Sequence, residues 1–91
     1  MFLLVSYDII NNRRRSKVCN ILKDYGKRVQ FSVFECLLDS KDLIRLKAAL
    51  LKLINEKEDN LRIYQLCESC KKNVLIYGNT KITEDEEVYI I

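Results

Sequence analysis

An acidic residue interrupts the N-terminal segment where its hydrophobic pattern is strongest. The run Leu3–Val5 is typical of a buried strand, yet Asp8 follows closely and is itself followed by isoleucines. Carboxylate oxygens are hard ligands of the kind that magnesium prefers, so Asp8 is a candidate metal ligand. One carboxylate per chain makes a poor site, whereas two brought together across a dimer axis make a reasonable one, flanked by Tyr7 and Arg15. The structural alternative is a carboxylate that caps the turn at Ile10–Asn12.

Four basic residues open the first predicted helix. They are Arg13, Arg14, Arg15 and Lys17. A helix start offers free amides and a favourable dipole to a phosphate group, and the cations add to both. Cations at the N-terminus of a helix interact unfavourably with the helix dipole, so this placement costs some stability. An unfavourable placement of this kind points to a functional role. The alternative is an ordinary solvated helix face.

The cysteines at positions 67 and 70 form a C-x-x-C motif. As zinc ligands they make half a site, because the sequence offers neither a second such pair nor a histidine. As a redox pair they lack a strand leading into a helix beside a βαβ unit. The sequence favours structural thiols in a turn between two strands, and we assign Cys67 and Cys70 no chemistry.

The composition narrows the remaining chemistry. The chain of 91 residues has no histidine, which removes the commonest general base and the commonest metal ligand. Net charge is +3, but residues 1–34 carry seven basic and two acidic residues, whereas residues 35–91 carry nine and eleven. This asymmetry predicts one face that binds a polyanion. The alternative is a solvated surface whose charges are unevenly distributed without a binding role. No leader or membrane-spanning stretch is recognisable, so we expect a cytoplasmic protein with reduced cysteines and no membrane partner.

Hydrophobic periodicity predicts the first strand and the first helix. Met1–Ile9 is a predicted strand, and a helix follows over about Arg13–Tyr25, with Asn11 or Asn12 as its cap. Gly26 is expected to end this helix. Its buried stripe is predicted to comprise Val18, Ile21, Leu22 and Tyr25.

The middle of the chain contains a change of phase. Val29–Val33 alternates between apolar and polar residues, as a half-buried strand does. Phe34 and Cys36 continue the apolar pattern but at even-numbered positions. This shift by one residue requires a bulge or a break between two short strands. A second helix is predicted to start at a cap, Asp39 or Ser40, and to run to about Asn55. Its buried residues are predicted to be Leu43, Leu46, Leu50 and Leu53. Two further strands are predicted at Leu61–Leu66 and Val74–Tyr77.

This order predicts an α+β fold of the ferredoxin-like βαββαβ class, with both helices on one face of an antiparallel sheet. We expect a single domain over residues 1–91, with a core over 1–80 and a tail over 81–91. The tail contains the acidic run Glu84–Glu87 and the apolar run Val88–Ile91. An exposed terminal strand is generally avoided, so it either exchanges with a partner subunit in a dimer or pairs within its own chain.

Several motifs together resemble one known family. "VSYDI", "RRRSKVCNILKDYG", "RVQFSVFE", "RIYQLCESC" and the closing "EEVYII" are similar to the small CRISPR-associated endoribonucleases, the Cas-two family of spacer-acquisition proteins. The resemblance covers the whole chain. It implies a symmetric homodimer in which the C-terminal strand joins the sheet of the other subunit.

The resemblance also implies a site. Asp8 matches the metal-binding carboxylate of the family, one copy from each subunit, for magnesium or alternatively manganese. Lys17 departs from members that have arginine at this position, which keeps the charge but loses the bidentate geometry. The implied residues near the cleft are Tyr7, Arg15, Arg28, Ser32 and Phe34, and those implied or predicted to bind nucleic acid are Arg13, Arg14, Arg15, Lys17 and Arg28.

Two functions follow from this resemblance. The first is a magnesium-dependent endonuclease on single-stranded RNA or double-stranded DNA that takes part in spacer acquisition with a partner integrase. The second is a non-catalytic DNA-binding scaffold that bridges integrase dimers. A third hypothesis keeps the fold but not the family, and is a toxin-type RNase or an RNA-recognition module. Phe31 and Phe34 suggest the RNA-recognition module, but the glycine-flanked aromatic signature of such modules is missing.

Overall fold

A computed structural model of the chain describes residues 1–78 and 81–83. Neighbouring strands of its four-stranded sheet are antiparallel, and their order is β2-β3-β1-β4. The predicted ferredoxin-like βαββαβ order is therefore confirmed. In chain order the elements are β1 (Phe2–Asp8), α1 (Asn12–Lys23), β2 (Gly26–Gln30), β3 (Val33–Leu37), α2 (Ser40–Leu53), β4 (Asn60–Leu66) and the short α3 (Glu68–Lys72).

The core lies between one face of the sheet and the two long helices. Alternate residues of β1 point into it, and both predicted helix stripes are confirmed because their central residues are fully buried. Side chains of the opposite parity in β1, ending with Asp8, lie on the other sheet face. The core comprises Leu3, Val5, Tyr7, Ile9, Val18, Cys19, Leu22, Phe34, Cys36, Leu38, Leu46 and Leu50.

Side-chain caps begin both long helices. The Arg14 backbone N–H donates to the Asn11 side-chain oxygen at 2.9 Å, and the Asp42 N–H donates to the Asp39 carboxylate at 2.8 Å. These contacts satisfy amides that have no partner inside the helix. The predicted caps are confirmed, with Asn11 and Asp39 as the residues used.

Gly26 has a different role from the predicted helix stop. Helix α1 ends at Lys23, and Gly26 is the first residue of β2. A Cβ atom at this position would overlap the Cys36 Sγ and the Glu35 carbonyl oxygen of β3. Glycine is therefore required by the close approach of two strands.

The predicted strand Val29–Val33 is wrong in its bounds. The phase change marks a break, with β2 ending at Gln30 and β3 beginning at Val33, and the pairing also shifts register between Arg28 and Gln30. Phe31 lies in the intervening turn and is exposed, so the apparent alternation here did not reflect burial.

The predicted strand Val74–Tyr77 is also wrong. It forms no strand with the rest of the described chain, and its side chains are exposed. The short α3 separates this segment from β4. A short apolar run forms a strand only where a neighbouring strand supplies hydrogen bonds. The acidic run Glu84–Glu87 and the expected terminal strand Val88–Ile91 lie outside the described residues. Within residues 1–78 and 81–83, no helix is long and apolar enough to cross a bilayer.

Candidate functional site

Asp8 lies at the end of β1, exposed, on the sheet face opposite the helices. Asn60 stands directly across from it in β4, and Arg62 faces Ser6 two residues away. Because alternate residues share a face, these side chains surround a common space. That space is an open pocket of about 200 Å³, lined by Ser6, Tyr7, Asp8, Asn60 and Arg62.

The Asp8 carboxylate accepts no hydrogen bond from the residues that the structure describes. The structural alternative made it a cap for the following turn, but Asn11 supplies that cap. An exposed, uncapped carboxylate beside an amide and a guanidinium can bind a cation or the polar edge of a ligand. Asn60 and Arg62 were missed in the sequence, because their placement depends on the register of β4 against β1.

Tyr7 precedes Asp8 and points the opposite way, into the core. Its ring stacks on that of Phe34 with centroids 6.4 Å apart, and its hydroxyl donates to the Phe31 carbonyl oxygen at 3.5 Å. Burial, followed by the hydrogen bond to Cys19, raises the pKa of Tyr7 to about 12. Tyr7 therefore keeps its proton at neutral pH and acts by packing and hydrogen bonding.

Phe34 is fully buried. Its ring contributes to the core beneath the site, so the structure gives it a packing role and leaves no surface for a substrate. Ser32 lies in the turn before β3, where its carbonyl oxygen accepts the Tyr7 backbone N–H at 3.1 Å. The turn is thereby joined to the end of β1.

Arg15 is half-buried and ties the start of α1 to the end of β1. One Nη atom donates to the Ile9 carbonyl oxygen at 3.0 Å, and the other donates to the Asn12 side-chain oxygen. Arg28 is exposed, and its Nε and Nη2 both donate to the Phe31 carbonyl oxygen, at 3.0 and 2.6 Å. Both guanidinium groups thus shape the loops at this end of the sheet.

Arg14 forms ion pairs, in contrast to its exposed neighbours Arg13 and Lys17. Its Nε and Nη2 donate to the Asp59 carboxylate at 2.9 and 3.2 Å, and Nη2 also contacts Glu58 at 2.9 Å. The Asp59 side chain has no exposed surface, and the hydrogen bond from Arg14 holds its pKa below the ordinary aspartate value. We therefore do not propose a phosphate contact for Arg14.

The C-x-x-C motif lies at the opposite end of the sheet, at the start of α3. The prediction of thiols in a turn between two strands is wrong, since no strand follows within residues 71–78 or 81–83 and both side chains are exposed. The Cys67 Sγ accepts the Cys70 N–H at 3.4 Å and lies 3.3 Å from the Ser69 Oγ. The hydrogen bond with Ser69, followed by that from the Cys70 backbone, lowers the pKa of Cys67 to about 7.

A single chain does not assemble a metal site in its described part. Residues 1–78 and 81–83 contain no group of three or more potential ligands from His, Cys, Asp or Glu side chains. The Asp8 carboxylate and the Asn60 amide are hard oxygen donors of the right kind for magnesium, but one carboxylate is too few. A second carboxylate, such as Asp8 of another copy of the chain, would be needed to complete a donor set for magnesium.

Comparison with known proteins identifies the family. The family model described as CRISPR associated protein Cas2 matches residues 1–74. The chain belongs to the Cas2 family. The family resemblance in the sequence is thereby confirmed, and the Cas2 relatives extend over the whole length of this chain.

Two relatives illustrate the similarity. "CRISPR-associated endoribonuclease Cas2 1" of Chloroflexus aurantiacus is 44% identical over 93 residues and covers 100% of both chains. "CRISPR-associated endonuclease Cas2" of Halalkalibacterium halodurans is 43% identical over 79 residues, covering 81% of this chain and 82% of its own.

Solved Cas2 structures have the same fold. Streptococcus pyogenes Cas2 at pH 6.5 superimposes with a TM-score of 0.74 and 36% identity, covering 86% of this chain and 100% of its own. A chain of a partial Cas6-RT-Cas1–Cas2 complex superimposes with a TM-score of 0.75 and 29% identity, covering 91% of this chain and 97% of its own.

Proposed function

We propose that this Cas2 protein is a magnesium-dependent endonuclease that cleaves phosphodiester bonds in single-stranded RNA or double-stranded DNA and takes part in spacer acquisition in the cytoplasm. The observation that carries the proposal is the exposed, uncapped Asp8 carboxylate in the pocket with Asn60 and Arg62. Relatives at 40–44% identity are named endoribonucleases, which supports a nuclease. The RNA and DNA substrates remain alternatives within this proposal.

The active form in this proposal is a homodimer. Two Asp8 carboxylates, one from each copy, would hold magnesium, with Asn60 as a neutral oxygen donor nearby. When bound, magnesium supplies positive charge that polarises a phosphodiester and acidifies a bound water. Arg62, on the same strand as Asn60, is suited to neutralise a phosphate oxygen in the pocket.

The other site residues hold the end of β1 and the loops next to it in place. Tyr7 fixes the end of β1 through its stacked ring and its hydroxyl, and Arg15 anchors the loop that follows Asp8. Arg28 and Ser32 determine the shape of the β2–β3 turn alongside. With respect to the metal, each of them therefore acts by positioning, and the residue that would touch the metal is Asp8.

The test compares the wild-type protein with Asp8→Asn on single-stranded RNA and on double-stranded DNA, in magnesium and in EDTA. We expect cleavage that requires magnesium and falls at least about 100-fold in Asp8→Asn, because the charge that holds the metal is lost. Asp24→Asn, an exposed aspartate at the end of α1, is the matched control and should cleave as the wild type does. Solution mass should show a dimer for all three proteins.

Equal cleavage by Asp8→Asn and the wild type would contradict the proposal and indicate a contaminating nuclease. A solution mass of one chain in the active protein would contradict the shared site. These two outcomes are independent, because the first concerns the carboxylate and the second concerns the second copy.

A second candidate function is a non-catalytic scaffold that binds DNA and bridges dimers of the partner integrase. The structural neighbour in the partial Cas6-RT-Cas1–Cas2 complex favours it. Exposed Arg13 and Lys17 would contact the duplex backbone without reading its sequence. In this case Asp8→Asn should leave spacer acquisition intact, and neutralising Arg13 and Lys17 should weaken DNA binding. Loss of acquisition in Asp8→Asn would contradict the scaffold.

A further inference from the structure

The turn between β2 and β3 presents a large aromatic side chain to solvent. Phe31 is 72% exposed, although it lies in a chain whose other two phenylalanines are buried. A phenylalanine gains stability by burial, so an exposed one at a turn has no contribution to the core that would explain it. Exposed aromatic rings beside cations are the feature that single-stranded nucleic acids contact by stacking.

Arg28 holds this residue in place. Its Nε and Nη2 both donate to the Phe31 carbonyl oxygen, at 3.0 and 2.6 Å, and its guanidinium carbon lies 5.1 Å from the centre of the Phe31 ring. Two hydrogen bonds to one carbonyl fix the backbone, and the cation–π contact fixes the ring. The ring is therefore ordered before any ligand arrives, which lowers the entropy cost of binding.

The turn is hydrogen-bonded to the end of β1, where Asp8 lies. The Ser32 carbonyl oxygen accepts the Tyr7 backbone N–H at 3.1 Å, and the Tyr7 hydroxyl reaches the Phe31 carbonyl oxygen at 3.5 Å. Tyr7 is the residue before Asp8, so Phe31 lies at the same end of the sheet as the exposed carboxylate. A strand whose backbone passes Asp8 can place a base near this turn.

We propose that Phe31 and Arg28 form a stacking platform for an unpaired nucleobase. This inference rests on the proposed function in that it requires the protein to bind nucleic acid, and it names the part of the substrate that is recognised. Any base offers a flat face to Phe31, so the contact does not depend on sequence. Arg28 adds positive charge for the adjoining phosphate, in a region of the chain where basic residues outnumber acidic ones by seven to two.

The test uses the absence of tryptophan from the chain. Phe31→Trp places the sole indole at the platform, and its fluorescence reports stacking directly. We expect quenching by a 15-nucleotide single-stranded RNA or DNA, with the RNA and DNA arms showing which sugar is preferred. An abasic strand of the same length and a blunt duplex should leave the emission almost unchanged. Ile44→Trp, at an exposed position on α2, is the matched control and should not be quenched by any of them.

Phe31→Ala measures the contribution of the ring to binding. We expect about a tenfold or greater loss of affinity for the single strand and no change for the abasic strand, since base–aromatic stacking is worth that much per base. The variant retains the carbonyl that Arg28 contacts, so the turn keeps its hydrogen bonds. Solution mass should be the same as that of the wild type.

Three outcomes would overturn the platform. The first is that Phe31→Ala binds the single strand with the same affinity as the wild type. The second is that the abasic strand quenches Phe31→Trp as strongly as the normal strand does. The third is a change of oligomeric mass in Phe31→Ala, which would mean that a second copy covers the ring. Tight wild-type binding combined with any of these rejects the platform and leaves the proposed function standing. Failure of the wild type to bind any nucleic acid rejects both.

Discussion

The two ends of the sheet expose different chemical groups. One is the end where β1 finishes, and the other is the end where β1 begins. At the first, Asp8 lines an open pocket and Phe31 is exposed in the neighbouring β2–β3 turn. At the second, the Met1 amine donates to the Leu38 carbonyl oxygen at 2.6 Å, and the thiols of Cys67 and Cys70 are exposed at the start of α3. The exposed carboxylate and the exposed aromatic turn therefore lie at one end of the sheet, and the exposed thiols lie at the other.

The same contrast exists on a smaller scale at the start of α1. Arg13 and Arg14 are adjacent and chemically identical, yet Arg13 is exposed while Arg14 is paired with a buried carboxylate 45 residues away. The residue type alone does not show whether an arginine stabilises the fold or can bind a ligand. Its ion pairs and its burial do. The predictions that follow test this difference.

Arg14→Ala should have the largest effect. It leaves the Asp59 carboxylate buried without its partner, and we expect the melting temperature to fall by at least about 5 °C. Arg13→Ala, the matched control, should stay within about 2 °C of the wild type. Thermal unfolding followed by circular dichroism measures both. A similar melting temperature for the two variants would contradict the structural role of Arg14.

The same pair predicts a pH dependence. Because Arg14 lowers the pKa of Asp59 in the folded state, the pair stabilises the protein above the ordinary aspartate pKa and loses this contribution as pH falls through the lowered value. The difference in melting temperature between the wild type and Arg14→Ala should shrink as the pH is lowered below about 4. A difference that grows on acidification would contradict this assignment.

Alkylation of the cysteines tests the opposite end of the sheet. Cys67 should react with iodoacetamide with a midpoint near pH 7, since its pKa is lowered to about 7. Burial raises the pKa of Cys36 to about 11, so Cys36 should react only on unfolding. Peptide mass spectrometry gives the rates, with Cys67→Ser as the control. Nucleic-acid cleavage should survive alkylation of Cys67; its loss would mean that this end also takes part in function.

Neutralising the exposed cations of α1 should have the smallest effect. Arg13→Gln and Lys17→Gln should each reduce the salt dependence of nucleic-acid binding by about one unit of slope, without changing the melting temperature. Titrations at several salt concentrations provide the slopes. An unchanged slope in the double variant would show that the start of α1 does not face the phosphate backbone.

The sequence predicted the helices well and the strands less well. The stripes of α1 and α2 follow the helical period, and a helix satisfies its own hydrogen bonds, so Asn11 and Asp39 could be recognised as caps. A strand depends on hydrogen bonds from a neighbouring strand, which one segment of sequence does not reveal. The apolar run Val74–Tyr77 therefore predicts a strand that the described structure does not form, and the alternation over Val29–Val33 extends past the end of β2 to Phe31. The phase change at Phe34 did reveal the break between β2 and β3.

The candidate site was predicted only in part for the same reason. Asp8 could be selected because it interrupts an apolar run. Asn60 and Arg62 could not, because their position beside Asp8 follows from the register of two strands that are more than 50 residues apart in the chain. Asp59 was missed since nothing near it in sequence marks it as the partner of Arg14.

Gly26 has a consequence for the whole hairpin. It stands at the far end of β2 from the turn, and its missing side chain allows β2 to lie against Glu35 and Cys36 of β3. Any larger residue there has to push these two strands apart, which tilts the segment that carries Arg28 and Phe31. Variation at position 26 therefore offers evolution or engineering a way to move the proposed stacking platform while its side chains stay the same.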